Sequence, residues 1–337
     1  MEHPIFCQVA STNPGIQKYN RLNVLIFDNL AAVAPKLRRQ RRRTHSEFPT
    51  MDDAPKGHEQ NADQIAYWNG PGGQRWADRQ QAQDVLLAPI ADALIDRARP
   101  MPGERIIDVG CGSGATTIAF AQKVAPSGHV LGVDVSGPML ARARQSAPRE
   151  LPVDFEMADA TVFPFDPKSF DLLVSRFGVM FFAEPALSFA NLRKALRPSG
   201  RLAFACWREP RENPFFMLPL QAVYKHAPKL PQQGPEDPGP FSFASEARVN
   251  RILGEAGFTG IEMEPCNFAL DMAIGRGLDV AVQSALEIGP SARALAEQPP
   301  EVVAAAAQSI REAFAPHVRG QTVALPASIW IVTASAA

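Results

Sequence analysis

Ile106-Ile107-Asp108-Val109-Gly110-Cys111-Gly112-Ser113-Gly114 decides the fold of this chain. Ile106, Ile107 and Val109 are the apolar, β-branched end of a buried strand. Three glycines at alternate positions then make a tight turn that opens directly into a helix from Ala115. Such a turn lets a ligand approach the backbone, and the start of the helix offers it free N–H groups. Outward from this point, short apolar segments alternate with helical ones. Strands are expected at 105–109, 130–134, 153–157, 171–175 and 201–206, and helices at 115–124, 138–145 and 185–196. Pro198-Ser199-Gly200 reads as the stop of the last helix. The βαβ alternation predicts an α/β protein with a doubly wound, mostly parallel sheet.

Before the glycine turn, 79–98 reads as a helix with Val85, Leu86, Ile90, Leu94 and Ile95 near one face and a kink expected at Pro89. After Trp207 the rhythm changes: helices are expected at 215–226 and 245–256, a strand at 260–270, a mostly helical stretch over 280–314 and a last strand near 327–333.

The 337 residues, 46% hydrophobic and 20% charged, suffice for one sizeable core, and a net charge of −1 gives no nucleic-acid or membrane surface to the chain as a whole. Cys7, Cys111, Cys206 and Cys266 lie far apart, which argues against a zinc site or a disulfide framework and suits a reducing compartment. The most apolar early stretch, 22–34, is too short to span a bilayer and contains Asp28 and Asn29. Its basic cluster follows the apolar part, the reverse of a secretory signal, so the protein reads as cytoplasmic with no membrane span. Residues 1–55 show no sustained period and end in the run Arg38, Arg39, Arg41, Arg42, Arg43. They read as a disordered N-terminal extension, with a nucleic-acid-binding arm as the sharper alternative. The globular pattern begins only after Met51, which is a second possible start of the natural chain.

The glycine turn alone is ambiguous. Gly110, Gly112 and Ala115 satisfy the dinucleotide fingerprint in its GxGxxA form, and Asp134 stands where that fold wants its ribose acid. Two features turn the reading. Asp108, two residues before the first glycine, would meet a pyrophosphate with like charge but suits a ligand carrying an ammonium and a sulfonium. After the third strand, Glu156-Met157-Ala158-Asp159-Ala160 offers an acid to an adenine amino group and a small residue beside the ring.

With these motifs the sequence resembles the class I S-adenosylmethionine-dependent methyltransferases, specifically the bacterial type 11 group similar to quinone-biosynthesis methyltransferases. The resemblance covers roughly residues 66–333 and rests on four motifs in order: DVGCGSG from Asp108, Val133-Asp134-Val135-Ser136, Ala158-Asp159-Ala160, and Phe170-Asp171-Leu172-Leu173-Val174-Ser175. It implies a Rossmann-like, seven-stranded domain over 56–337, with a helical lid and cap insertions at about 209–245 and 275–320. It also implies S-adenosyl-L-methionine as cofactor and a methyltransferase activity. By that resemblance Asp108 and the backbone at Gly110 hold the methionine amino group, while Cys111 and Gly112 line the cofactor. Asp134 takes both ribose hydroxyls, Val135 and Met139 pack near the adenine, and Asp159 contacts its N6 beside Ala160. Ser175 and Arg176 close the site. Tyr67-Trp68-Asn69-Gly70-Pro71-Gly72-Gly73-Gln74-Arg75-Trp76 looks like a lid, with Trp68 or Trp76 on the methionine end and Arg75 on its carboxylate. Asp171 reads as a structural acid at a strand start and is left out of the site.

The acceptor is read by what covers the strand ends: Phe177, Phe181, Trp207 and Arg208, with Arg176, Met180 and Phe182 nearby. This aromatic set with two cations suits a small hydrophobic or aromatic acceptor, one able to carry an anionic group, methylated at O or C. Ser175-Arg176-Phe177-Gly178 stands where amino-methylating nucleic-acid enzymes of this fold place Asn/Asp-Pro-Pro-Tyr/Phe, which makes nucleic acid an improbable partner. A protein or RNA methyltransferase using the basic arm is the alternative. No histidine occupies an obvious catalytic position, no catalytic base is named, and no metal is expected.

Overall fold

The computed structural model describes residues 59–232, 234 and 236–336; the extension expected over 1–55, with its arginine run, lies outside the described residues. The strands are β1 (Arg105–Val109), β2 (His129–Asp134), β3 (Val153–Met157), β4 (Phe170–Arg176), β5 (Leu196–Trp207), β6 (Thr259–Asp271), β7 (Val318–Arg319) and β8 (Thr322–Ser335). Seven of them form one path, β3-β2-β1-β4-β5-β8-β6, and the two-residue β7 pairs with β8 alone. β1 to β5 are parallel, and β8 inserts antiparallel between β5 and β6. Strand order reverses between β1 and β4, and in an open α/β sheet that reversal leaves a crevice at the carboxyl ends of the strands.

Three helices are α1 (Ala62–Asn69), α2 (Pro71–Asp78) and α3 (Gln80–Ala98), all before the sheet. The others are α4 (Ala115–Val124), α5 (Gly137–Ser146), α6 (Pro185–Ala195), α7 (Pro214–Val223), α8 (Glu246–Glu255), α9 (Leu278–Glu287), α10 (Gly289–Leu295) and α11 (Pro300–Phe314). Ile106, Ile107, Leu172 and Leu173, fully buried in the central strands, explain why those segments carry no polar alternation. Each such side chain stabilises the fold by about 1.5–3 kcal/mol.

Pro89 lies inside α3, which is one helix. Three local expectations need correction. Val85 is 60% exposed because it sits roughly opposite the stripe formed by Gln83, Leu86, Leu87, Ile90 and Leu94. Pro198-Ser199-Gly200 is not the helix stop: α6 ends at Ala195, and those residues lie in β5, where the pairing with β4 shifts register between Phe170 and Leu172. The last strand is also longer than 327–333, because β8 stays paired with β6 from Ala324 to Ser335.

The close approach on which the crevice rests is between two glycines. Gly110, at φ +65°, has no room for a side chain: a Cβ there would stand 2.5 Å from the Cα of Gly178. A Cβ on Gly178 would stand 2.6 Å from both the Cα of Gly110 and the carbonyl of Val109. Gly110→Ala is therefore expected to lower stability by about 1–2 kcal/mol from its left-handed backbone alone, before the clash is counted. Gly178→Ala should also destabilise. Gly254→Ala, in α8 with nothing within 4 Å of the added Cβ, should instead raise stability by about 0.5–1 kcal/mol. Urea unfolding followed by circular dichroism separates the three.

Candidate active site

A cavity of about 460 Å³ opens at the carboxyl ends of the strands, within the range of about 300–1,000 Å³ usual for small-molecule sites. Its floor is the glycine contact, with Gly110 and Gly178 both in the wall. Ser175 ties this floor together and does not face the cavity: its Oγ donates to the Val109 carbonyl (2.7 Å) and accepts from the N–H groups of Gly178 and Val179. The expectation that Ser175 closes the site is thus replaced by a structural role joining the ends of β1 and β4.

At the tip of β2, Asp134 lines the cavity with a fixed carboxylate. Its Oδ2 accepts from the Gly112 N–H and its Oδ1 from the Ser136 N–H, both at 2.8 Å. Burial raises its pKa from the ordinary aspartate value, with the Ser136, Gly112 and Val135 N–H groups opposing. Each oxygen keeps a lone pair for a further donor, so a vicinal diol can be bound at both. Gly112 thus orients the acid and does not itself line the cavity; its φ is +56°, and an added Cβ would stand 2.7 Å from Met139 Cε. Val135 and Met139 complete an apolar edge there.

Asp159 and Ala160 reach the same cavity from the end of β3. Asp159 accepts from Asn61 Nδ2 (2.8 Å) and from the Thr161 N–H (2.9 Å). Asn61 also receives the Ala183 N–H at 3.0 Å, so one buried amide clasps the segment before α1 to two strand-end loops. A second amide does the same further on: Asn69 donates to the Val135 carbonyl and accepts from the Gly137 N–H. The expected lid is therefore two helices. Glycines are required at their junction because a Cβ on Gly73 would overlap the Trp68 carbonyl. Trp68 meets Trp76 and Phe181 edge-on, with centroids 6.3 and 5.1 Å apart, and all three rings face the cavity, as does Arg75.

Asp108 and Cys111 do not line the cavity. Asp108 is 1% exposed behind the glycine turn, where Thr117 Oγ1 donates to its Oδ2 at 2.7 Å and its Oδ1 has no hydrogen-bond partner among the described residues. Burial pushes its pKa up to about 7, with the Thr117 hydroxyl and the Arg176 charge opposing. Burial likewise raises the Cys111 thiol, consistent with a place for its size and not its reactivity. Arg176 lines the cavity between Asp84 and Asp108, which oppose the lowering that burial imposes on it. Asp171 accepts from the Arg105 N–H and pairs with Arg197, as a structural acid.

On the other wall, Phe177 stacks on Trp207 with centroids 4.3 Å apart, and Trp207 stacks in turn with Phe215 at 5.9 Å. Phe177 holds φ +72°, a left-handed backbone unusual for a bulky side chain and of the kind concentrated at functional sites. Arg208 is the residue of this set that the structure does not bring to the cavity: it pairs with Glu212 and lies over the Trp330 ring at 4.6 Å. Sequence reasoning missed Asn61, Gln83, Glu287 and Arg293, all of which line the cavity. Gln83 alone left a legible signal, a polar residue within the buried stripe of α3. Among the described residues no histidine lines the cavity, no cluster could hold a metal ion, and no helix is long and apolar enough to cross a membrane.

A family model described as a methyltransferase domain matches residues 106–200, the stretch from β1 to the bulge of β5. Aklanonic acid methyltransferase of Streptomyces sp. (strain C5) is 31% identical over 195 residues, 55% of this chain and 83% of that protein. Demethylmenaquinone methyltransferase of Clavibacter sepedonicus is 30% identical, over 54% of this chain and 76% of its own length. Nocamycin O-methyltransferase of Saccharothrix syringae is 35% identical over a shorter stretch, 35% of this chain and 42% of that protein. With the sheet order, the strand-end acids and these likenesses together, the chain belongs to the class I S-adenosylmethionine-dependent methyltransferases, and S-adenosylmethionine is its cofactor.

Proposed function

We propose that residues 56–337 form a methyltransferase domain acting on a hydrophobic or aromatic small molecule, at O or C. The single observation carrying this reading is that the carboxylates of Asp134 and Asp159 share one cavity with the aromatic wall of Phe177, Phe181 and Trp207. The relatives named for aklanonic acid, demethylmenaquinone and nocamycin support a small-molecule acceptor. The segments at about 209–245 and 275–320 serve as covers over the acceptor.

The donor set fits the cofactor. Asp134 has free lone pairs for the ribose diol, Val135 and Met139 offer an apolar edge to the adenine, and Asp159 with Ala160 stands at its amino side. Gly110 exposes bare backbone to the methionine end, and Arg75 with Trp76 covers it from the lid. Asp108 acts from behind the turn: a cationic ligand in the cavity favours its ionised form against the burial that raises its pKa, without touching it. Bound there, S-adenosylmethionine supplies an electrophilic methyl group on a sulfonium. The residues of this chain align the acceptor in line with it and keep water out. With no histidine among the described residues of the wall, the acceptor that fits best brings its own acidity, as a phenol, enol or carboxylic acid does.

Three outcomes test this. S-adenosylhomocysteine should bind by calorimetry, and Asp134→Ala should weaken it more than about tenfold, the loss of a charge-assisted pair of hydrogen bonds. Deleting residues 1–50 should leave small-molecule methyl transfer within about twofold; loss of transfer would favour the basic-arm alternative. The third is a pH effect on the cofactor-free protein. Because the folded pKa of Asp108 is raised to about 7 from 3.8, the folded state holds a proton that the unfolded chain has lost between those values. Stability is then full below about pH 4 for this group and falls as pH rises towards 7. Asp108→Asn should remove that loss, on the order of a few kcal/mol. Urea unfolding at pH 5 and 7.5 reads it as a gap between variant and wild type that widens with pH.

A further inference from the structure

We infer that the acceptor carries a carboxylate, held by Arg293 of α10 with the amide of Gln83 beside it; this rests on the methyltransferase reading above and names its substrate class. Arg293 is half-buried in the cavity wall, and its guanidinium has neither an ion pair nor a hydrogen bond among the described residues. Glu287, an acid in the same cavity wall, is already paired with Arg79. Gln83 is 4% exposed, lines the same cavity, and its Oε1 is buried without a hydrogen-bond partner among the described residues. A buried primary amide in an otherwise apolar stripe costs stability unless a ligand satisfies it, and a half-turn of its last torsion exchanges donor for acceptor.

The chain carries both groups to the same cavity, on helices linked through one joint. Arg79, at the start of α3, pairs with Glu287 at the end of α9 and reaches Ser284 as well. Gln83 lies one turn beyond Arg79 on α3, its N–H bonded to the Arg79 carbonyl at 3.1 Å. Arg293 follows Glu287 on the next helix, α10, whose first glycine abuts the Phe216 ring of the aromatic wall. The other cavity cations have separate surroundings: Arg176 lies between Asp84 and Asp108, and Arg75 is on the lid helix α2. Arg293 is thus the cation presented from the acceptor cover, and its planar fork matches a carboxylate at two hydrogen bonds. A site built this way disfavours a neutral amide analogue, which offers the guanidinium fork one acceptor oxygen instead of two and no charge.

The test is calorimetry on the full chain with 2-naphthoate and its near-isosteric neutral analogue 2-naphthamide, each with and without S-adenosylhomocysteine. Wild type is expected to bind the carboxylate at least about tenfold more tightly than the amide. Arg293→Gln should abolish that preference, Arg293→Lys should keep part of it, and Gln83→Leu should weaken the carboxylate alone. Retained binding of S-adenosylhomocysteine by each variant shows that the cavity is still folded. A wild type without preference, including one that binds neither probe, overturns the inference, as does a preference that survives in Arg293→Gln. If S-adenosylhomocysteine itself fails to bind wild type, the methyltransferase site falls; if it binds and the preference is missing, this inference falls alone.

Discussion

Two loops, one after β1 and one after β4, meet backbone to backbone at Gly110 and Gly178, and the site depends on that contact. Any Cβ at either position would stand about 2.5 Å from the opposite chain, a distance that side chains do not tolerate. The contact is possible only because strand order reverses between these two strands, so that their outgoing loops diverge above it. Ser175 fixes the approach by bonding the Val109 carbonyl and two N–H groups of the following turn. Two parts of the cavity wall flank this seam: the acid of β2 on one side, and the strained Phe177 with its stack on Trp207 on the other.

The seam also sets the electrostatics. Asp134 remains on a partly exposed strand tip, where backbone N–H groups hold its carboxylate in one orientation. Asp108 lies behind the seam, where the same dry packing makes its ionisation unfavourable. One acid therefore keeps open lone pairs towards the cavity, and the other lies behind the turn, out of the cavity wall and hard to ionise. This division corrects the simplest picture, in which every acid at a strand end lines the cavity.

Much of this was legible in the sequence, and the reason is local. A buried parallel strand followed by a glycine turn and a helix has few other solutions, so β1, α4 and the positions of Asp134 and Asp159 follow from patterns of a few residues. What failed was long-range. The pair of Arg208 with Glu212 is local, but nothing near Arg208 indicates that the Trp330 ring will claim it, because Trp330 arrives from β8 more than a hundred residues later. Nothing near Asn61 indicates that it will be buried against Asp159, 98 residues away. The register shift in β5 likewise arises from pairing with β4, so Pro198-Ser199-Gly200 was misread as a stop. Gln83 is the instructive intermediate: its place in the apolar stripe of α3 was visible, but its meaning required the cavity.

The division between the floor and the helices that follow it has a physical consequence for specificity. The family model ends at residue 200, before the aromatic residues of α7 and before α9 to α11. Those helices enter between β5 and β8 without disturbing the pairing of the parallel strands, since the sheet closes behind them through β8. The floor can therefore stay matched to one cofactor while the cover changes to suit the acceptor. Phe215, Phe216 and Arg293 all reach the cavity from these later helices. The aromatic stack from Phe177 through Trp207 to Phe215 and the Arg79–Glu287 pair between α3 and α9 join these helices to the floor, so a change in the cover is felt at the strand ends.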